Sequence, residues 1–241
     1  MPKNVKKVSI IYSPNFNLKK RTKNKIKYLI FHYTGMKSDQ LAIKRLTNFN
    51  SRVSCHYYID NQGKLIQIVP DLYIAWHAGI SFWKKDKLLN NNSIGVEISN
   101  PGHKHGYKCF KKKQLESLIK ISKKLIKKYK IKKKNILGHS DIAPLRKKDP
   151  GEKFPWKYLA KNNIGIWHKL NFIECKKLRG KKINFENKIF YKKLKKFGYF
   201  LNISEKIKNK KIVKSFQRRF RPNLVDGKVD MECFEIIKTL I

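Results

Sequence analysis

Residues 135–156 read N-I-L-G-H-S-D-I-A-P-L-R-K-K-D-P-G-E-K-F-P-W, an apolar run ending in an imidazole at His139 and a turn-rich segment ending in a carboxylate at Asp149. Both side chains are ligands of first-row metals. Pro150 biases Asp149 towards an extended conformation and stops any helix there, so the carboxylate is held at a fixed place. Two residues earlier, Lys147 points the same way on an extended chain. A cation, a carboxylate and an imidazole are therefore expected on one rim. Two ligands do not close a metal site, so a third ligand and a base must come from elsewhere.

Immediately before this stretch, Gln114–Tyr129 carries Leu115, Leu118, Ile119, Ile121, Leu125 and Ile126 with lysines between them, the spacing of an amphipathic helix. Further back, Ile94–Ile98 reads as a short strand with Gly95 inside it, where a backbone or ligand can approach closely. Ser54–Ile59 and Leu65–Val69 are strand candidates separated by D-N-Q-G, a strong hairpin signal. Asp39–Asn50 has helical spacing at Leu41, Ile43 and Leu46. Ile26–Tyr33, I-K-Y-L-I-F-H-Y, is the dense β-branched and aromatic run of a buried central strand, with His32 at its C-terminal end. The expected fold class is α/β, a mixed central sheet flanked by helices, with a small helical domain after it. The expected divisions are a basic irregular arm over residues 1–24, the α/β domain over 25–170, a linker over 171–182 and helices over 183–241.

At 241 residues the chain is long enough to bury a sizeable core. Its net charge of +42 is nearly all lysine, spread along the whole length. A compositional bias towards Lys, Ile and Asn accounts for such a surface. Attraction to a polyanion, such as nucleic acid or an anionic cell-wall polymer, is the functional alternative. Nucleic acid is not the expected partner, because neither aromatic platforms nor a binding motif accompany the basic residues. Cys55, Cys109, Cys175 and Cys233 are widely separated and read as free thiols. The N-terminus lacks the apolar core of a signal peptide, and no stretch is long and apolar enough to span a bilayer. The expectation is a cytoplasmic protein, with the periplasm or cell envelope as the alternative.

For the third ligand, His32 is the choice, because a histidine ending a buried strand opens onto a sheet edge; His77, in A-W-H-A-G, competes with it. His32, His139 and Asp149 would leave the fourth position of a zinc ion to water, as catalytic zinc sites do. Glu97 lies among apolar strand neighbours, where a carboxylate is costly without a partner. Beside a metal it reads as a general base; without one, as an edge-strand residue facing water. Lys147 would stabilise the oxyanion of a tetrahedral intermediate. Such a set hydrolyses an amide or ester.

Five motifs, I-F-H-Y-T, S-C-H-Y-Y-I-D, A-W-H-A-G-I-S-F-W, N-N-S-I-G-V-E-I-S-N-P-G and G-H-S-D-I-A-P-L-R-K-K-D-P-G-E-K-F-P-W, stand in that order between residues 30 and 156. Together they resemble the zinc-dependent N-acetylmuramoyl-L-alanine amidases of the amidase-2 family, over roughly residues 26 to 168. The resemblance implies the peptidoglycan-recognition-like fold and one zinc ion held by His32, His139 and Asp149. It makes Glu97 and Lys147 catalytic and places Trp76 and His77 near the substrate groove. The scissile bond in this family joins the lactyl group of N-acetylmuramic acid, including its 1,6-anhydro form, to L-alanine of the stem peptide. His56 falls in a strand-like motif and reads as structural, and nothing about His103 and His105 suggests a second metal.

The tail segments L-K-K-F-G-Y-F and V-K-S-F-Q-R-R-F-R-P-N-L-V-D-G-K-V-D resemble the small peptidoglycan-binding module that follows some of these amidases. Phe216 and Phe220, four residues apart, would share a helix face, either as part of a binding surface or as the core of a three-helix unit. Cys233 stands where that module commonly has threonine. The expected partners are peptidoglycan or muropeptide fragments, bound by a monomer. The competing function is a protein that binds muropeptides without cutting them; such relatives usually lose a metal ligand, and here all are present.

Overall fold

The computed structural model describes residues 9–183, 187–201 and 206–241; the first eight residues of the expected arm, and 184–186 and 202–205 in the expected helical segment, lie outside them. The strands, in chain order, are β1 (Ser9–Ile10), β2 (Phe16–Asn17), β3 (Tyr28–Tyr33), β4 (Tyr57–Ile59), β5 (Leu65–Gln67), β6 (Ile74–Ala75), β7 (Phe82–Trp83), β8 (Asp86–Lys87), β9 (Ser93–Ile98) and β10 (Ile136–Gly138). The helices are α1 (Asp39–Thr47), α2 (Lys112–Tyr129), α3 (His139–Ile142), α4 (Trp156–Lys161), α5 (Phe172–Leu178), α6 (Asn187–Phe197), α7 (Lys206–Phe220) and α8 (Met231–Leu240). None is long and apolar enough to cross a membrane. The chain forms two compact units: the first runs to His77 and resumes over Asn90–Ile131, and the second joins Ala78–Leu89 to Lys132–Ile241.

In the first unit the strands lie in the order β1-β5-β4-β9-β3. β4, β9 and β3 are mutually parallel, β5 is antiparallel to β4, and β1 is parallel to β5. The apolar runs in β3 and β9 suit parallel strands covered on both faces, and Leu29, Ile30, Phe31, Ile94 and Val96 are fully buried. Hairpin β4–β5 turns at Asp60, whose Oδ1 accepts the N–H groups of Gln62 and Lys64, each at 2.8 Å. Gly63 closes that turn at φ +79°, and a Cβ there would lie 2.5 Å from the carbonyl oxygen of Lys113. Only glycine fits there.

Ser38 caps α1 by accepting the Leu41 N–H. Ala42 and Leu46 of α1 pack with Tyr58, Ile66 and Ile68, while Leu41, expected on the apolar face, is exposed. Helix α2 buries Leu118, Ile121 and Leu125, and its Gln114 donates to the carbonyls of Asp60 and Ser99. The arm expected to be irregular contributes β1 and β2, because Ser9–Ile10 pairs with Ile66–Gln67 and Phe16–Asn17 with Ile74–Ala75.

Polar groups hold this unit from beneath. Asp71 accepts hydrogen bonds from Tyr57, Tyr129 and Lys128 at 2.6, 2.6 and 2.7 Å. Burial alone would raise its pKa, yet these donors keep it below the ordinary carboxylate range. Arg21 Nη2 donates to the Asp71 carbonyl at 3.0 Å and lies beside the buried ring of His56. His56 Nδ1 accepts the Gly95 N–H at 3.0 Å, so its Nε2 carries the proton and donates to the Tyr73 carbonyl. His56 is thus structural, as expected.

In the second unit β10 runs directly into the short helix α3. The stretch expected to be a linker holds α5, capped reciprocally by Asn171 and Glu174. Arg179, just beyond α5, makes two 2.7 Å bonds to Glu232 of α8. Residues 171–182, expected as a linker, thus carry a capped helix and an ion pair to α8. Phe216 and Phe220 are buried with ring centroids 5.3 Å apart, the core role of the two open to them. All four cysteines are free.

Burial, then the neighbouring Arg21, lowers the His56 pKa to about 3 from an ordinary 6.5. The folded state therefore keeps His56 neutral where the unfolded chain binds a proton. This contribution to stability is full above pH 6.5 and falls as pH drops towards about 3. Replacing His56 with asparagine retains an acceptor for Gly95 but removes the titration. Urea unfolding between pH 7 and 4 should then show a slope shallower by up to about 1.4 kcal/mol per pH unit, and an unchanged slope would refute this assignment.

Candidate functional site

In the first unit, strand register places the polar groups. His32 on β3 pairs with Glu97 on β9, and Glu97 pairs with Tyr58 on β4, so the three side chains stand in one row across three parallel strands. Glu97 is buried in an interior strand, which removes the reading of an edge residue facing water. Tyr58 is anchored through its hydroxyl on Asp39 at 2.5 Å.

His77 lies against the same row. Its Nδ1 is 3.0 Å from His32 Nε2, and its Nε2 is 3.2 Å from the Ser93 hydroxyl. The His77 ring meets those of His32 and His56 edge-on, at centroid distances of 5.1 and 5.5 Å. Gly95 makes room for it: a Cβ at that position would sit 2.4 Å from the His77 ring. The close approach expected at this glycine is therefore that of an imidazole. His77 is buried and touches His32, whereas Trp76 is half-buried, its indole N–H held by Asn17 Oδ1 at 2.7 Å.

In the second unit, α3 carries His139 and the following turn carries Asp149. His139 Nε2 lies 3.1 Å from the Ala78 carbonyl and 3.5 Å from Arg146 Nη2, and its Nδ1 is 3.0 Å from Asp149 Oδ2. A proton or a metal cation can lie with such a pair. Two ligands on a tetrahedral ion, each about 2 Å from it, stand about 3.3 Å apart, close to what is seen. The Asp149 carbonyl also accepts the Ser140 N–H at 2.8 Å, fixing the loop in both directions.

Among the described residues, His32, His139 and Asp149 form a buried group in which one donor atom from each lies within 4.8 Å of the others. The donor set of two imidazoles and one carboxylate suits zinc. Lys147 is half-buried in the turn before Asp149, its N–H closing on the Ala143 carbonyl. His103 instead accompanies Tyr33 and Tyr107, 2.9 Å from the Tyr33 hydroxyl and stacked on the Tyr107 ring.

Arg146 was not singled out by sequence reasoning. Its guanidinium donates to the carbonyls of Ala78 and Ile80, the first of which also lies 3.1 Å from His139 Nε2. Burial lowers its pKa, and Asp149 opposes that shift. In a chain with lysine at every few positions, one more basic residue in R-K-K carries no signal.

A family model described as N-acetylmuramoyl-L-alanine amidase, Amidase_2, matches residues 22–152. The chain is 33% identical over 233 residues to the N-acetylmuramoyl-L-alanine amidase AmiD of Escherichia coli, covering 90% of this chain and 83% of that protein. The solved complex of AmiD with the substrate anhydro-N-acetylmuramic acid-L-Ala-D-gamma-Glu-L-Lys superposes with a TM-score of 0.80 at 32% identity, over 90% of this chain and 88% of that one. AMPDH3 of Pseudomonas aeruginosa, in complex with anhydromuramic pentapeptide, gives 0.79 at 26% identity, over 100% and 96%.

Replacing Gly95 with alanine should destabilise the protein by about 1–3 kcal/mol through overpacking against His77. Adding His77→Ala should recover part of that loss, which a double-mutant cycle of urea midpoints measures. Strict additivity would refute the packing of His77 on Gly95.

Proposed function

This chain belongs to the Amidase_2 family of N-acetylmuramoyl-L-alanine amidases, and from that premise we propose that it binds one zinc ion through His32, His139 and Asp149. With the ion in place, it cuts the amide between the lactyl group of N-acetylmuramic acid and L-alanine of the stem peptide. The observation that carries the metal reading is the buried group of His32, His139 and Asp149, with one donor atom from each within 4.8 Å of the others. When bound, the ion supplies a Lewis acid that polarises the scissile carbonyl and acidifies water.

The remaining steps fall to the chain's own groups. Glu97, buried in the row that contains His32, takes the proton of the attacking water on its carboxylate. It then returns that proton to the departing alanine nitrogen, so the amide C–N bond breaks as the new C–O bond is completed. The Lys147 ammonium offsets negative charge on the carbonyl oxygen. Trp76, at the half-buried end of its motif, is assigned to substrate contact.

The substrates in the solved complexes of AmiD and AMPDH3 are anhydro-muramyl peptides. By extension, 1,6-anhydro muropeptides of peptidoglycan turnover are the substrates assigned here. The likeness of the tail to peptidoglycan-binding modules supports a further contact with glycan, made by exposed side chains, since Phe216 and Phe220 are in the core.

Mass spectrometry of anhydro- and reducing-end muropeptides incubated with zinc-loaded protein tests this function. Release of free stem peptide should require zinc. Replacing Glu97 with glutamine should lower kcat by about 100-fold or more while zinc content stays at one per chain. Absence of cleavage by folded, zinc-loaded protein would overturn the amidase assignment and favour a muropeptide-binding protein.

A further inference from the structure

Asp141, two residues after His139, is buried and fully engaged. Its Oδ2 accepts the Gly138 N–H at 2.8 Å and Arg219 Nη1 at 2.7 Å, and its Oδ1 accepts the Tyr199 hydroxyl at 2.6 Å. Arg219 extends the attachment through Nη2, which donates to the Ile136 carbonyl at 2.9 Å. The Ser215 hydroxyl donates to the Ser140 carbonyl at 2.6 Å. Three residues from the C-terminal helical segment therefore grip positions 136, 140 and 141, on both sides of His139.

This grip is rigid. The side chains of Arg219 and Asp141 are 2% and 1% exposed. The guanidinium lies over the rings of Trp156 and Phe220, 4.6 and 4.8 Å from their centroids. Tyr199 is in turn wedged by Trp83, whose ring lies 5.0 Å away and whose neighbour Lys84 donates its N–H to the Gly198 carbonyl at 2.8 Å. A four-residue helix such as α3 has too few internal hydrogen bonds to hold its own orientation. External anchors must supply it.

We infer that Tyr199, Ser215 and Arg219 are positioning residues for the ligand His139, and that the C-terminal helical segment is built into the metal centre through Asp141. A separable glycan-binding appendage would have no need of these bonds. The inference rests on the metal reading of His139, and its test separates the two.

Zinc affinity, by chelator competition, and the visible spectrum of the cobalt(II)-substituted protein are measured for the full chain carrying Tyr199→Phe, Ser215→Ala or both. Phe190→Leu, a core substitution in α6 that removes none of these hydrogen bonds, serves as a comparison of similar or greater loss of thermal stability. The expected result is zinc binding weakened about tenfold in the double variant, with a changed cobalt spectrum, while Phe190→Leu keeps the parent affinity and spectrum. Unchanged affinity and spectrum in the double variant, or losses that simply follow melting temperature in all variants, would overturn the positioning role. A parent protein that binds no zinc would instead refute the metal reading, and this inference with it. Binding in the parent that is abolished by His139→Ala, with no effect of the double variant, would refute the positioning role alone.

Discussion

A histidine can offer a metal only one nitrogen at a time, and what the other nitrogen does decides which. His139 has Nε2 against the Ala78 carbonyl and Nδ1 against Asp149 Oδ2, and His32 has Nε2 against His77, which is itself backed by Ser93. Hydrogen bonds of this kind choose the tautomer and fix the ring plane of a histidine ligand. For the proposed ligand set, they come from the Ala78 carbonyl and His77, groups that would never touch the ion.

These supporting groups explain a sequence feature otherwise hard to place. Glycine inside a strand weakens it, through backbone entropy and the lack of a side chain to pack. Gly95 nonetheless sits in the middle of β9, because His77 needs its space and His56 needs its N–H. His56, held neutral by burial, and His77, wedged between Ser93 and His32, form the floor on which the first ligand rests. Three histidines in three motifs therefore have three different tasks.

Much of this was legible in the chain. Alternation and turn chemistry gave β4 and β5, helical spacing gave α2, and the apolar run Y-L-I-F gave β3, because each signal is local. His32, His139 and Glu97 could be singled out because polar residues in or just after apolar strand runs stand out, and Asp149 because Pro150 follows it in a turn-rich segment. What escaped were groups whose meaning depends on distant partners. Ser9–Ile10 is a strand only because Ile66–Gln67 pairs with it. Arg146 looks like any other base among lysines until Ala78 and Ile80 are seen to need its protons. The tail looked separable because its apolar pattern is that of an autonomous bundle, and nothing local marks Tyr199 or Arg219 as facing Asp141.

The treatment of charge follows the same division. A net charge of +42 leaves acids scarce, and among the buried ones Asp71, Asp141 and Asp230 are spent on structure. Asp71 ties Tyr57, Tyr129 and Lys128 together in the first unit. In the second, Arg221 is fully buried and bound to Asp226 and Asp230 at 2.9 and 2.5 Å, while Arg219 holds Asp141. Breaking such a pair strands a charge without solvent, at a cost of about 3–5 kcal/mol. Buried arginine–carboxylate pairs act here less as sources of net stability than as constraints on which arrangement is allowed. Lysine, strongly hydrated and long, suits the solvated surface; arginine, with a planar fork able to reach two acceptors at once, is the base found in the interior. The lysine excess can therefore vary with composition while the few arginines and acids keep the ligand loop in place.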